Sequence, residues 1–392
     1  MEASNSLISV FITIILSLLV VAKSDNTVFN VLDYGAVGDG RTDDTNAFSK
    51  AWQATCSSSS SSAIMQVPSD KTFLIQAIRF DGPCNSKSVT MEINGNLVAP
   101  NDPSDWECEK SSCEQWIYFH RVDGLTVHGH GVIDARGKKW WNIEAFEISN
   151  SDNVNLRGGL KFKDSPRMHV VLNGLNSIFV SNISIEAPEK SPNTDGIHVS
   201  GCINAFIDHA RIGTGDDCIS IVDGSSYVTV SNVICGPGHG ISIGSLGKNG
   251  ANDKVEYVSV SDVVFIGATN GARIKTWQGG RGYARHIVFE RILLHATINP
   301  IIIDQFYCDH QHCVNSNSAV QITNVTYRQI LGTSKKKKPA VKFLCSESFP
   351  CRDIVVEDIH IAGKDEKDAK YECSNVYGRA RGEKVPQISC LN

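Results

Sequence analysis

The chain predicts an all-β fold: a single right-handed parallel β-helix with one helix capping its N-terminal end. Three observations carry that prediction. First, alternating apolar residues followed by a polar pair recur at Ile93, Val127, Leu156, Val180, Ile207, Val230, Val260, Phe289, Ile322 and Val356, spaced 34, 29, 24, 27, 23, 30, 29, 33 and 34 residues apart. Second, two neighbouring copies, Tyr227-Val-Thr-Val-Ser-Asn-Val and Tyr257-Val-Ser-Val-Ser-Asp-Val, match position for position. Third, Val and Ile fall at period two between Gly, Asn and Asp, the pattern of strands and turns rather than helix. Units of this length cannot bury an apolar face alone and must stack. A leucine-rich repeat needs shorter units with Leu at fixed positions, and a propeller needs units of about 40 residues. Turns of variable length between constant strands account for the spread in spacing.

The elements follow in order. Leu7 to Ala22 is one apolar run broken only by Ser9, Thr13 and Ser17, and Ala22-Lys23-Ser24 offers a cut before Asp25. At about 16 residues it is shorter than the roughly 20 that span a bilayer. Residues 1–24 therefore read as a secretory signal and 25–392 as one β-helix domain exported to the extracellular space. Glu2 is the only charge ahead of the run, where a basic residue is usual. Next, Thr42-Asp-Asp-Thr supplies an N-cap and first-turn acids, and Ala47, Phe48, Ala51 and Trp52 fall at helical spacing, which places the capping helix here. The helix covers strand edges that an open stack would expose.

The 392 residues include 41% hydrophobic and 20% charged side chains, enough for a large core. A net charge of −5 leaves no basic footprint for nucleic acid. Thirteen cysteines suit an oxidising compartment. Near neighbours suggest the pairs Cys56–Cys84, Cys108–Cys113, Cys218–Cys235, Cys308–Cys313, Cys345–Cys351 and Cys373–Cys390, with Cys202 as the free thiol. Asn182-Ile-Ser and Asn324-Val-Thr are glycosylation acceptor sequons.

The chemistry lies in four motifs: Ser191-Pro-Asn-Thr-Asp-Gly-Ile-His198, Gly213-Thr-Gly-Asp-Asp-Cys218, Cys235-Gly-Pro-Gly-His-Gly-Ile-Ser-Ile-Gly244 and Arg273-Ile-Lys-Thr-Trp277. Asp195 to Asp217 is 22 residues, Asp217 to His239 is 22, His239 to Arg273 is 34 and Lys275 to Tyr307 is 32. Each step is one repeat, so these side chains line one face of successive coils, about 4.8 Å apart. An Asp beside Gly is commonly an Asx turn, but four turns placing ionisable groups in register argue for a site. Asp216 and Asp217 are adjacent and need a bend to reach one site, which Gly215 permits. Paired carboxylates suit glycosidic hydrolysis, one protonated to donate to the leaving oxygen and another ionised. Crowded acids raise the pKa of at least one. Arg273 and Lys275 suggest that the sugar carries a carboxylate.

At these residues the sequence resembles the polygalacturonases, pectin-cleaving glycoside hydrolases with a right-handed parallel β-helix, from Tyr34-Gly-Ala onward and nearest to secreted plant members. The resemblance implies Asp216 as general acid, Asp195 and Asp217 as activators of water in an inverting displacement, and His239 as the residue that holds the acid. It assigns galacturonate binding to Arg273, Lys275 and Tyr307, with Asn193 in the same motif, and implies no metal or other cofactor. It also implies a Cys218–Cys235 disulfide tying the acid's turn to the histidine's. The resemblance implies the cell wall as the destination of the secreted domain. Polygalacturonate is the expected partner, the chain is expected to be a monomer, and endo action is favoured over exo. A calcium-dependent pectate lyase and an inactive pectin-binding wall protein are the competing readings; the complete site weighs against the latter.

Overall fold

The computed structural model describes residues 26–106, 115–139, 144–309, 313, 316–317, 319–335, 339–363 and 369–391. The signal at 1–24 and the pair Cys108–Cys113 lie outside the described residues. The described strands form two sheets, of 18 and 11 strands, paired in parallel from coil to coil. The chain climbs as a right-handed parallel β-helix.

Period-two side chains stack inside it. Val127, Leu156, Val180, Ile207, Val230, Val260 and Phe289 are register partners in sequence and are all buried, so each apolar position meets its equivalents one coil above and below. Two of the expected repeat positions shift. Val127 pairs with Met91 rather than Ile93, and Phe289 pairs with Tyr327 rather than Ile322. Ile93 and Ile322 are also buried, so apolarity alone cannot tell which inward residue of a strand is in register.

The polar pair after each apolar run forms a corner. Asn182, His209, Asn232, Asp262, Arg291, Gln329 and Asp358 occupy equivalent places in successive coils and hold φ between 51° and 56°. A second column, Ser177, Asn204, Tyr227, Tyr257, His286, Asn324 and Asp353, does the same with φ between 54° and 61°. Asn and Asp tolerate this left-handed conformation better than most residues. Tyr227, Tyr257 and His286 stack on one another along the second column, with centroids 4.8 and 4.7 Å apart.

The capping helix spans Thr45–Cys56 and buries Ala47, Phe48, Ala51 and Trp52. Phe48 packs on Phe73 at 5.4 Å, and Trp52 on Phe80 at 5.0 Å. The acids before it do not cap it as expected. Asp44 at the N-cap makes no side-chain cap hydrogen bond; its carboxylate accepts instead from the N–H groups of Val37 and Gly38, at 2.7 and 3.1 Å. Asp43 accepts from the Thr45 N–H at 2.9 Å. Disulfides join Cys56–Cys84, Cys218–Cys235, Cys308–Cys313, Cys345–Cys351 and Cys373–Cys390, and Cys202 is free and buried, as the spacing suggested.

Candidate active site

The site lies on the 11-stranded sheet, where the strands Ile197–Ser200, Ile219–Ile221, Ile241–Leu246, Asn270–Trp277 and Asn299–Tyr307 run side by side. Asp195, Asp217 and His239 each sit two residues before one of the first three strands, so the 22-residue spacing becomes coil-to-coil stacking. Arg273 and Lys275 come from the interior of the fourth strand, and Tyr307 from the end of the fifth.

The bend at Gly215 brings Asp216 and Asp217 together. Glycine is required there for room: a Cβ would lie 2.0 Å from the Ser191 carbonyl. At Gly240, φ is +88° and a Cβ would come within 2.4 Å of two carbonyls, those of Asn270 and Gly271. The Cys218–Cys235 disulfide fastens the two turns.

One oxygen each of Asp216 and Asp217 and a ring nitrogen of His239 lie within 4.8 Å of one another. His239 donates from Nδ1 to Asp216 Oδ1 at 2.9 Å, and its backbone N–H donates to the Asp216 carbonyl at 2.7 Å. The Asp217 N–H also donates to Asp216 Oδ1, at 2.8 Å. Oδ2 of Asp216 takes no partner among the described residues, and the side chain is 23% exposed.

Asp217 is 1% exposed. Its Oδ1 accepts from Arg273 Nη2 and, at 2.9 Å, from Ser242 Oγ; its Oδ2 accepts from Lys275 Nζ at 2.9 Å. Burial pushes this carboxyl upward, but Arg273 and Lys275 outweigh burial and hold it below the usual carboxylate range. The two cations therefore neutralise an enzyme carboxylate first. Each keeps unused N–H groups, since Arg273 spends Nε on Ser242 and Nη2 on Asp217, and Lys275 has three protons. The Lys275 ammonium stands 5.1 Å over the Tyr307 ring.

Asp195 is tied differently. Its Oδ2 accepts from Ser220 Oγ at 2.6 Å, and His198 Nδ1 lies 2.7 Å from that hydroxyl. Asn193 is exposed with φ of 54° at the turn that opens this strand, a reason for Asn independent of ligand, and no contact joins it to the other site residues. Sequence reasoning missed Ser220 and Ser242. Both are buried, and they are register partners of each other, of His198 and of Arg273. The 22-residue steps from His198 to Ser220 and from Ser220 to Ser242 carry the same signal as those between the acids.

A β-helix carrying clustered carboxylates and cations on one sheet face has the make-up of a glycoside hydrolase. The family model described as Glycosyl hydrolases family 28 matches residues 56–385, and the chain belongs to that family. Polygalacturonase-2 of Solanum lycopersicum is 42% identical over 386 residues, covering 95% of this chain and 83% of its own. The polygalacturonase of Persea americana is 42% identical over 368 residues, covering 90% and 78%. Among solved structures, the hyperthermoactive exopolygalacturonase from Thermotoga maritima shares the fold with a TM-score of 0.74 at 20% identity, over 90% of each chain.

Proposed function

We propose that this chain is a polygalacturonase that hydrolyses α-1,4-galacturonosidic bonds of pectin with inversion. The observation that carries the reading is Asp216, held through Oδ1 by His239 with Oδ2 left open, beside a carboxylate that two cations keep ionised. Asp216 in its acid form gives its proton to the glycosidic oxygen as that bond breaks. A water held between Asp195 and Asp217 attacks the anomeric carbon from the opposite face and loses its proton to Asp195. Asp217, its charge shared by Arg273 and Lys275, orients that water and is a weak proton acceptor. The unused donors of Arg273 and Lys275, with Tyr307 and Asn193, hold the galacturonate carboxylate and hydroxyls.

Asp216 and Asp217 are closer than the roughly 6.5–9.5 Å usual between the two carboxyls of inverting enzymes. The reading therefore seats the water against Asp195 and Asp217 jointly. Proton NMR of the first product tests this: a β-anomeric reducing end is expected from an α-linkage, and an α-anomer overturns inversion. Reducing ends released from polygalacturonate should fall by roughly 10²- to 10⁴-fold in Asp216→Asn; equal release refutes the acid. Unsaturated products absorbing in the ultraviolet, lost with a chelator, would instead mark a lyase. Early products that form a broad oligomer ladder mark endo action, and monomer alone marks exo action.

Residues 25–392 are proposed to work as one secreted, monomeric domain once 1–24 are removed. The five disulfides among the described residues support an oxidising destination. Asn182 and Asn324 are both exposed, at left-handed corners, and are the proposed glycan attachment sites; the Asn324 amide also bonds His286 Nδ1 at 2.8 Å.

A further inference from the structure

We infer that His198 is a positioning residue for Asp195, acting through Ser220; the role in catalysis rests on the hydrolase reading above. Ser220 and Ser242 occupy paired register positions on adjacent strands, and each donates its single hydroxyl proton to a carboxylate: Ser220 to Asp195 Oδ2 at 2.6 Å, Ser242 to Asp217 Oδ1 at 2.9 Å. With that proton committed, each oxygen can only accept from its other neighbour. For Ser242 that neighbour is the Nε–H of Arg273 at 2.8 Å. For Ser220 it is His198 Nδ1 at 2.7 Å, so Nδ1 carries a proton.

Two parallel relays result, Arg273–Ser242–Asp217 and His198–Ser220–Asp195. In each, an N–H donor polarises a buried hydroxyl that grips one carboxylate. They differ in strength. Asp217 is also bonded directly by two cations, whereas Asp195 has the hydroxyl alone and His198 Nδ1 at 3.8 Å. On the flanking strand the register partner of His198 is Val171, which carries no charge. Asp195 therefore has no cation bonded directly to it, and its aim at the water depends on His198.

The test compares His198→Leu, His198→Asn, Ser220→Ala and the Leu/Ala double variant on polygalacturonate, together with tautomer-sensitive ¹⁵N NMR of histidine-labelled wild type. His198→Leu and Ser220→Ala should each lower kcat roughly ten- to hundredfold with KM nearly unchanged. His198→Asn, whose amide can donate near the Nδ1 position, should restore most of it. The double variant should be no worse than the poorer single, because both cut one relay. A rise in KM at constant kcat, an Asn variant as poor as Leu, or additive losses would overturn the inference. Wild type that releases no reducing ends would sink the hydrolase reading instead. The NMR still decides the relay then: a ring protonated at Nδ1 supports it, and a proton on Nε2 alone refutes it.

Discussion

At the scale of single residues, the same residue type takes its chemistry from its partners. Asp195 and Asp217 are equivalent by spacing, yet Asp217 is bonded by Arg273 and Lys275 and Asp195 by a serine. The sequence placed Asp195 and Asp217 on one face, because each precedes a strand by two residues, with Asp216 brought in by the bend beside Asp217, but could not say which of them the cations would meet. That depends on side chains crossing two coils. Cys202 shows the same dependence. Burial pushes its thiol up to about 11, and its Sγ–H points to the Leu172 and Ser200 carbonyls, at 3.3 Å each. The thiolate is the reactive form, so Cys202 should resist iodoacetamide in the native protein at pH 8 and be alkylated after denaturation without reductant. Peptide mapping that finds Cys202 modified in the folded state would contradict this.

At the scale of elements, the corner decides where each strand stops. The polar pair was legible as a recurring feature, and its partners in space explain it: the second residue of each pair turns left-handed so that the chain can leave one sheet face for the next. Asn232 also donates to Asp208 Oδ1 at 2.7 Å. Asn232→Gly should cost about 1 kcal/mol, for the lost hydrogen bond. Asn232→Val should cost about 1–2 kcal/mol more, since a β-branched residue is strained at φ of 53°. Urea unfolding midpoints check the order; a Val variant as stable as the Gly variant would show that the corner carries no such strain. The two misplaced repeat positions, Ile93 and Ile322, belong to this scale as well. Side-chain parity is a period-two property, so the two-residue slip from Met91 to Ile93 keeps an apolar residue inside, and only the backbone pairing distinguishes them. Ile322 lies five residues before Tyr327, beyond the left-handed corner at Asn324, where its own register partner is Ala284.

At the scale of the whole molecule, stability should fall with acid in two stages. His169 is buried, donating from Nδ1 to the Asp195 carbonyl at 3.0 Å and accepting at Nε2 from the Ser165 N–H at 3.2 Å. Burial lowers its pKa to about 4. Between an unfolded value of about 6.5 and that folded value, the unfolded chain binds the extra proton. Stability present above pH 6.5 is therefore lost as pH falls towards 4, on the order of 3 kcal/mol from this group. Asp217 follows with a later window: its folded pKa is depressed, so its contribution holds above the ordinary carboxylate range and is lost below it. The His169 ring resonance, followed by NMR, should stay in its neutral form down to pH 5. A midpoint near 6.5 would refute the buried, neutral assignment, and thermal midpoints against pH should show the first decline starting below neutrality.

The sequence by itself determined the solenoid, the N-terminal capping helix and the spacing of the acids, the histidine and the cations, because a repeat written along the chain becomes a column in space once its units stack. It also suggested the pairs Cys56–Cys84, Cys218–Cys235, Cys308–Cys313, Cys345–Cys351 and Cys373–Cys390, since short separations on neighbouring turns bring sulfurs together. Only the tertiary structure decided the exact coil register, the diversion of Asp44 from capping the helix to the Val37 and Gly38 N–H groups, the neutralisation of Asp217 and the serine relays behind the acids. The neutralisation of Asp217 and the relays rest on hydrogen bonds whose partners lie 22 to 58 residues apart, and their geometry is set by how coils sit on one another, which no local pattern encodes.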